Sequence, residues 1–387
     1  MIDFSKVISD RASGIKPSGI RKFFDILETM HGVVSLTVGQ PDFPTPWHIR
    51  EAAVDSIQKG KTYYTSNAGT PELRKEISLY LSHRFGINYA DKQIITTVGG
   101  SEAIDIVIRS LVGEGDEVII HEPNFVCYEP LVTLCGGKPV IIETREEEGF
   151  KVTANALRNA ITEKTKAVIM TYPNNPTGAI MEREDWESVA DVLRDTNIVL
   201  ISDEIYAELT YGVEHVSPAS VSDLYERCVT VGGFSKAFAM TGWRLGYIAA
   251  PPEIVEAVFK IHQYAIMCAP TASQFAGIEA MKNGADDVKM MVAEYDRRRK
   301  ILVSEFKKMG ISCYEPKGAF YVFPNIKQFG LTSEEFAEKL LFEYNCAVVP
   351  GSAFGSCGEG FVRISYAYSL DHLYKGLECI KKMISEL

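Results

Sequence analysis

Through the middle of the chain, short Val/Ile-rich runs alternate with stretches whose apolar residues recur every three or four positions. The runs at 94–98, 118–121, 140–143, 167–171, 198–202 and 229–231 have strand length, and most are bounded by polar, Gly or Pro residues. Directly after the first, Ile104, Val107, Ile108 and Leu111 share one face of 101–111, which predicts a helix. Repetition of this kind over 46–284 predicts a mostly parallel sheet with helices on both faces. From about 285 the pattern changes to long helices and few strands. One helix is expected over 286–309 and another from 369 onward, where Leu373, Leu377, Ile380 and Ile384 form a stripe and Ser369 is the N-cap. The expected division is a large α/β domain, 46–284, and a smaller α+β domain built from 1–45 and 285–387.

Bulk properties narrow the function. The 387 residues are 46% hydrophobic, enough for a large core, and no run approaches the roughly 18 apolar residues of a membrane span. Met1-Ile2-Asp3-Phe4-Ser5-Lys6 lacks the basic-then-apolar pattern of a secretory signal, so a cytoplasmic home is expected. A formal charge of -11 argues against nucleic acid, because phosphate-backbone affinity is built from clustered Lys and Arg. Eight cysteines without a Cys-x-x-Cys pair predict reduced, mostly buried thiols, and seven histidines without ligand spacing predict no metal.

In parallel α/β sheets ligands bind beyond the carboxyl ends of the strands, so the residues just after each run carry the candidate chemistry. Gly99-Gly100-Ser101 opens a helix, where free N–H groups and the positive helix end suit a phosphate; a tight turn is the alternative. Pro173-Asn174-Asn175-Pro176-Thr177-Gly178 presents an amide between prolines, or merely turns the chain. Asp203-Glu204-Ile205-Tyr206 leaves a carboxylate and a phenol at a strand tip, or a helix cap. Gly232-Gly233-Phe234-Ser235-Lys236 places an amine among apolar neighbours, where it can shed its charge and form an imine; the alternative is a solvated surface lysine.

Taken together and in order, these motifs resemble the fold-type-I pyridoxal-phosphate (PLP) enzymes, specifically the class I/II aminotransferases. The resemblance begins at Gly39-Gln40-Pro41-Asp42-Phe43 and Tyr64 before Asn67-Ala68-Gly69. It continues through Asn175-Pro176-Thr177-Gly178, Ser202-Asp203-Glu204 and Ser235-Lys236 to Arg244, and ends at Phe361-Val362-Arg363-Ile364-Ser365. It implies that Lys236 holds the cofactor as a Schiff base and later moves the substrate's proton. Asp203 is implied to pair with the pyridine nitrogen, Asn175 and Tyr206 to hydrogen-bond the ring oxygen, and Phe125 to stack on the ring. Gly100, Ser101, Ser235 and Arg244 are implied to hold the phosphate, with Tyr64 reaching in from the partner of a homodimer. Arg363, with Asn175 and the backbone at Gly39, is implied to grip the substrate carboxylate. Catalysis then falls to Lys236, Asp203 and Tyr206.

The chain also departs from the pattern. Many relatives carry a serine three residues before the lysine, where this chain has Gly233, and some aspartate-specific ones carry a lysine where it has Ser101. The stretches 18–23 and 35–40 look most similar to a bacterial group of aromatic or N-acetyl-diaminopimelate aminotransferases, and the chain as a whole resembles the wider bacterial aspartate, aromatic and N-acetyl-diaminopimelate set. The expected activity is amino transfer between an L-amino acid and a 2-oxo acid, with glutamate and 2-oxoglutarate as the shared pair. A carbon-sulfur β-lyase on the same scaffold is the competing activity. The donor side chain is left open, since specificity falls to loops near Ile20, Tyr64 and Tyr264.

Overall fold

The computed structural model describes residues 2–17, 30 and 32–387, so the stretch 18–23, with Ile20, lies outside the described residues. Seven strands form the central sheet: β1 (Ile94–Thr97), β2 (Glu117–Glu122), β3 (Lys138–Glu143), β4 (Thr165–Thr171), β5 (Val199–Asp203), β6 (Cys228–Gly233) and β7 (Gly246–Ala249). Their order across the sheet is β1-β7-β6-β5-β4-β2-β3. Only β7 is antiparallel to its neighbours, and the other pairs are parallel. The fold is thus the expected α/β architecture of fold-type-I PLP transferases, with one reversed strand that the sequence did not suggest. Gly-Tyr-Ile-Ala is too short and too plain a run to stand out, and its opening glycine is there for a close approach. A Cβ on Gly246 would lie 2.7 Å from the carbonyl carbon of Gly99.

Adjacent strand residues face opposite sides, and here both sides are apolar. Ile119 and Leu200 pack into the core under one face, Ile120 and Ile201 into the core under the other. Helix Gly99–Leu111 supplies Ala103, Ile104 and Val107 to the second of these cores. That double covering holds the carboxyl ends of the strands along one rim.

Beyond the large sheet, Tyr321–Val322, Val362–Ser365 and Val349–Pro350 make a three-stranded antiparallel sheet, and Val34–Ser35 pairs in parallel with Cys346–Ala347. The predicted long helices are Ala285–Lys308 and Leu370–Ser385, and Ser369 caps the second by accepting from the His372 amide at 3.4 Å. Both pack on the small sheet through Met291, Leu302, Leu373 and Ile380. The thiols correct an expectation. All eight are free, but only Cys228 and Cys346, which open strands within the cores, are fully buried; the other six are half-buried, Cys127 and Cys135 flanking helix Tyr128–Leu134 and Cys268 lying between two helices. No helix among the described residues is long and apolar enough to cross a membrane.

Candidate active site

A cavity of about 360 Å³ opens at the rim where the strands end. Eleven of the twelve residues picked out in the sequence line it. The floor is strand-end chemistry: Asp203 closes β5, Ser235 and Lys236 follow β6, and Gly100 and Ser101 form the first turn of Gly99–Leu111. Arg244 reaches the same turn from a left-handed backbone at φ 50. Gly99, at φ 75, is glycine for a spatial reason as well, since a Cβ there would lie 2.7 Å from Arg244 Nη2. A guanidinium and a positive helix end therefore converge on one corner, the arrangement an anion needs.

Lys236 is half-buried beside that corner and donates from Nζ to the Gly39 carbonyl at 2.5 Å. Burial, reinforced by the charges of Arg363 and Arg244 and opposed by Asp203, brings its pKa down to about 8. Asp203 is buried and has no ion pair among the described residues. Its Oδ1 accepts from the Ile205 amide at 3.1 Å and its Oδ2 from the Tyr128 phenol at 2.7 Å. Burial nonetheless raises its pKa to about 6.

The opposite wall comes from the small sheet. Arg363 is buried, donates from Nη1 to Asn175 Oδ1 at 3.0 Å and from Nη2 to the Thr37 carbonyl at 2.6 Å, and its Nε has no partner among the described residues. The Tyr321 and Phe354 rings lie 4.5 and 4.8 Å from the guanidinium carbon. A buried guanidinium without a carboxylate is an expensive group, and burial pulls its pKa down. Here it fronts a cavity that could deliver the missing anion. The neighbouring asparagines divide the work. Asn174 Oδ1 accepts from the Thr177 amide and hydroxyl and holds the turn, whereas Asn175 faces the cavity. Phe125 and Tyr206 complete the lining, the latter hydrogen-bonded through its hydroxyl to that of Tyr321 at 2.8 Å.

Tyr64 is the one residue kept apart. It is 76% exposed, on a segment fastened to its own chain by Thr271 Oγ1 donating to the Tyr63 carbonyl and Gln274 Nε2 to Thr65 Oγ1. Nine lining residues were given no role by the sequence reading, among them Tyr128, Tyr321 and Ile205. Tyr128 had a signal, since it follows Phe125 by three positions at the start of helix Tyr128–Leu134. Ile205 explains the departure at Gly233, because its Cδ1 would lie 2.7 Å from a Cβ there. A serine at 233 needs Ile205 to move, and Ser235 is one of the hydroxyls that line the cavity.

With this geometry the comparisons agree. The model of the family "Aminotransferase class I and II" matches residues 31–379. The chain is 51% identical to "Putative aminotransferase YugH" of Bacillus subtilis, over 97% of this chain and 98% of that one. It is 44% identical to an aspartate aminotransferase of Pyrococcus abyssi, over 98% of each. The solved structure of an aromatic aminotransferase from Pyrococcus horikoshii superposes with a TM-score of 0.90 at 43% identity, covering 94% of this chain and 99% of that one. The chain belongs to the class I and II aminotransferases. It is a PLP-dependent enzyme of fold type I, related to bacterial and archaeal aspartate and aromatic aminotransferases. The cavity suits the cofactor that the family implies: an anion corner for a phosphate, a buried carboxylate lacking a cation, and an amine that loses its charge near neutrality.

Proposed function

We propose that the enzyme moves an amino group between an L-amino acid and a 2-oxo acid in this cavity, with glutamate and 2-oxoglutarate as the shared pair. The observation that carries the reading is a neutralisable amine, Lys236, facing the same cavity as a buried guanidinium without a carboxylate, Arg363. When bound, PLP supplies an electron sink for the electrons left at the substrate's Cα as its proton departs. The rest is the work of the chain. Gly100, Ser101, Ser235 and Arg244 hold the phosphate, Phe125 stacks on the ring, and Asp203 faces its nitrogen. Tyr206 and Asn175 donate to the ring oxygen. Arg363, with Asn175 and the backbone of Gly39, fixes the substrate carboxylate, and Lys236 carries the proton away from Cα and returns it. Incubating PLP-loaded enzyme and 2-oxoglutarate with a panel of amino donors tests the reading. Glutamate formed in step with donor consumed supports it, and pyruvate plus ammonia released from cystathionine favours the β-lyase.

Arg363→Lys is expected to lower kcat/KM at least about tenfold for every donor and for 2-oxoglutarate alike. Each carries a carboxylate beside the reacting carbon, and an ammonium offers charge without the planar fork that orients it. A loss confined to dicarboxylic substrates would mean that Arg363 reads the side chain instead.

We further propose a cytoplasmic homodimer whose sites each borrow Tyr64 from the other subunit. Free thiols suit a reducing compartment, and a tyrosine fastened to its own chain yet turned to solvent suits a role across an interface. Mixed Lys236→Ala and Tyr64→Phe proteins should regain part of the activity, since one site of the hybrid keeps both residues. Absence of recovery after demonstrated subunit exchange counts against a shared site. We retain the division into 46–284 and 1–45 with 285–387: the seven-stranded sheet falls within the first span and the three-stranded sheet within the second.

A further inference from the structure

We propose that Tyr128 is a positioning residue for amino transfer: by donating its phenolic hydrogen to Asp203, it keeps the proton shared between Asp203 and the cofactor's ring nitrogen on the nitrogen. The proposal rests on the reading that Asp203 faces that nitrogen. It starts from the contact itself, a 2.7 Å hydrogen bond from Tyr128 Oη to Asp203 Oδ2 between two buried groups that both line the cavity. Burial, and then the charge of Asp203, hold the phenol's pKa well above its ordinary value, so the hydroxyl stays a donor.

The consequence follows from where a proton rests between a carboxylate and a pyridine. A carboxylate buried among apolar groups becomes a stronger base, and without hydrogen bonds Asp203 would draw the proton back, leaving a neutral ring and a poor electron sink. Two donors oppose this. The Ile205 amide serves Oδ1 and is fixed by the backbone; Tyr128 serves Oδ2 and is the only side chain bonded to the carboxylate among the described residues. Each carboxylate oxygen has room for a second donor, so Tyr128 leaves space for the ring nitrogen. Tyr128 also starts its helix three residues after Phe125 and meets that ring edge-on at 6.1 Å, so one short segment carries both the stacking ring and the donor.

The test is Tyr128→Phe, which removes one oxygen and keeps the ring packed against Phe125. Thermal unfolding of the cofactor-free variant checks that the fold survives. The readout is heteronuclear NMR of enzyme reconstituted with cofactor labelled at the ring nitrogen. We expect the wild-type resonance at the protonated position and the variant's moved toward the neutral one, the neutral-to-protonated ratio rising at least about tenfold, the worth of a hydrogen bond to a charged group. kcat should fall while the KM for amino donors changes little. An unmoved resonance in a variant with lowered kcat would overturn the proposal and leave Tyr128 a packing residue. Asp203→Asn provides the neutral reference. A wild-type resonance matching that reference would sink the reading of Asp203 itself, and the proposal with it.

Discussion

Replacing Lys236 by alanine is expected to lower turnover at least about 10⁴-fold and to abolish the absorbance band of the imine between cofactor and lysine. Two functions end together, because one amine is proposed both to hold the cofactor through an imine and to carry the Cα proton. The environment of Lys236 explains how it can do either near neutrality. With its pKa brought down to about 8, on the order of a quarter of the amines are uncharged at pH 7.5, against roughly one in a thousand for an ordinary lysine. Only the uncharged amine attacks an aldehyde, so uptake of PLP by cofactor-free protein should accelerate with pH up to about 8 and then level off. Stopped-flow absorbance of imine formation between pH 6 and 10 measures this. A rate still climbing steeply toward pH 10 would show an unperturbed lysine, and normal turnover in Lys236→Ala would end the central assignment.

What the sequence made legible is what is local. The strand runs and the residues immediately following them could be read because a buried parallel strand is a short apolar run, and its carboxyl end is a defined place in space. Asp203, Asn175 and Lys236 were found that way, and they do line one cavity. Side chains that arrive from distant segments could not be read so. Tyr321 comes from the small sheet to meet Tyr206, separated from it by 115 positions, and nothing near it in sequence announces the encounter. The strand Gly246–Ala249 was missed for a related reason. Its place between β1 and β6 is set by two close neighbours rather than by its own pattern. Individual motifs also stayed ambiguous: the turn reading of Pro173 to Gly178 describes Asn174 and the cavity reading describes Asn175.

Asp203→Asn is expected to cut turnover roughly 10³-fold and, in the cofactor-free protein, to raise stability. The two effects share one cause, a buried carboxylate with no ion pair among the described residues. Its pKa is raised from 3.8 to about 6, chiefly by that burial. Such a group costs nothing while it is protonated in both folded and unfolded chains, below about pH 4. The cost grows as pH rises from the unfolded value toward the folded one and is complete above about pH 6, at roughly 3 kcal/mol. Asparagine removes the charge and can keep both contacts, its oxygen accepting from the Ile205 amide and its NH2 donating to the Tyr128 hydroxyl oxygen, so the variant should match wild type at pH 4 and exceed it at pH 8. Loss of activity alongside gain in stability is the signature of a group kept for chemistry rather than for folding. Thermal unfolding of both cofactor-free proteins across that pH range, beside single-turnover rates of the loaded enzymes, measures the pair of effects. If the variant kept its rate within a few-fold, Asp203 would be no part of the electron sink. If it lost stability at pH 8, the carboxylate would be a structural anchor whose hydrogen bonds outweigh the cost of burying its charge.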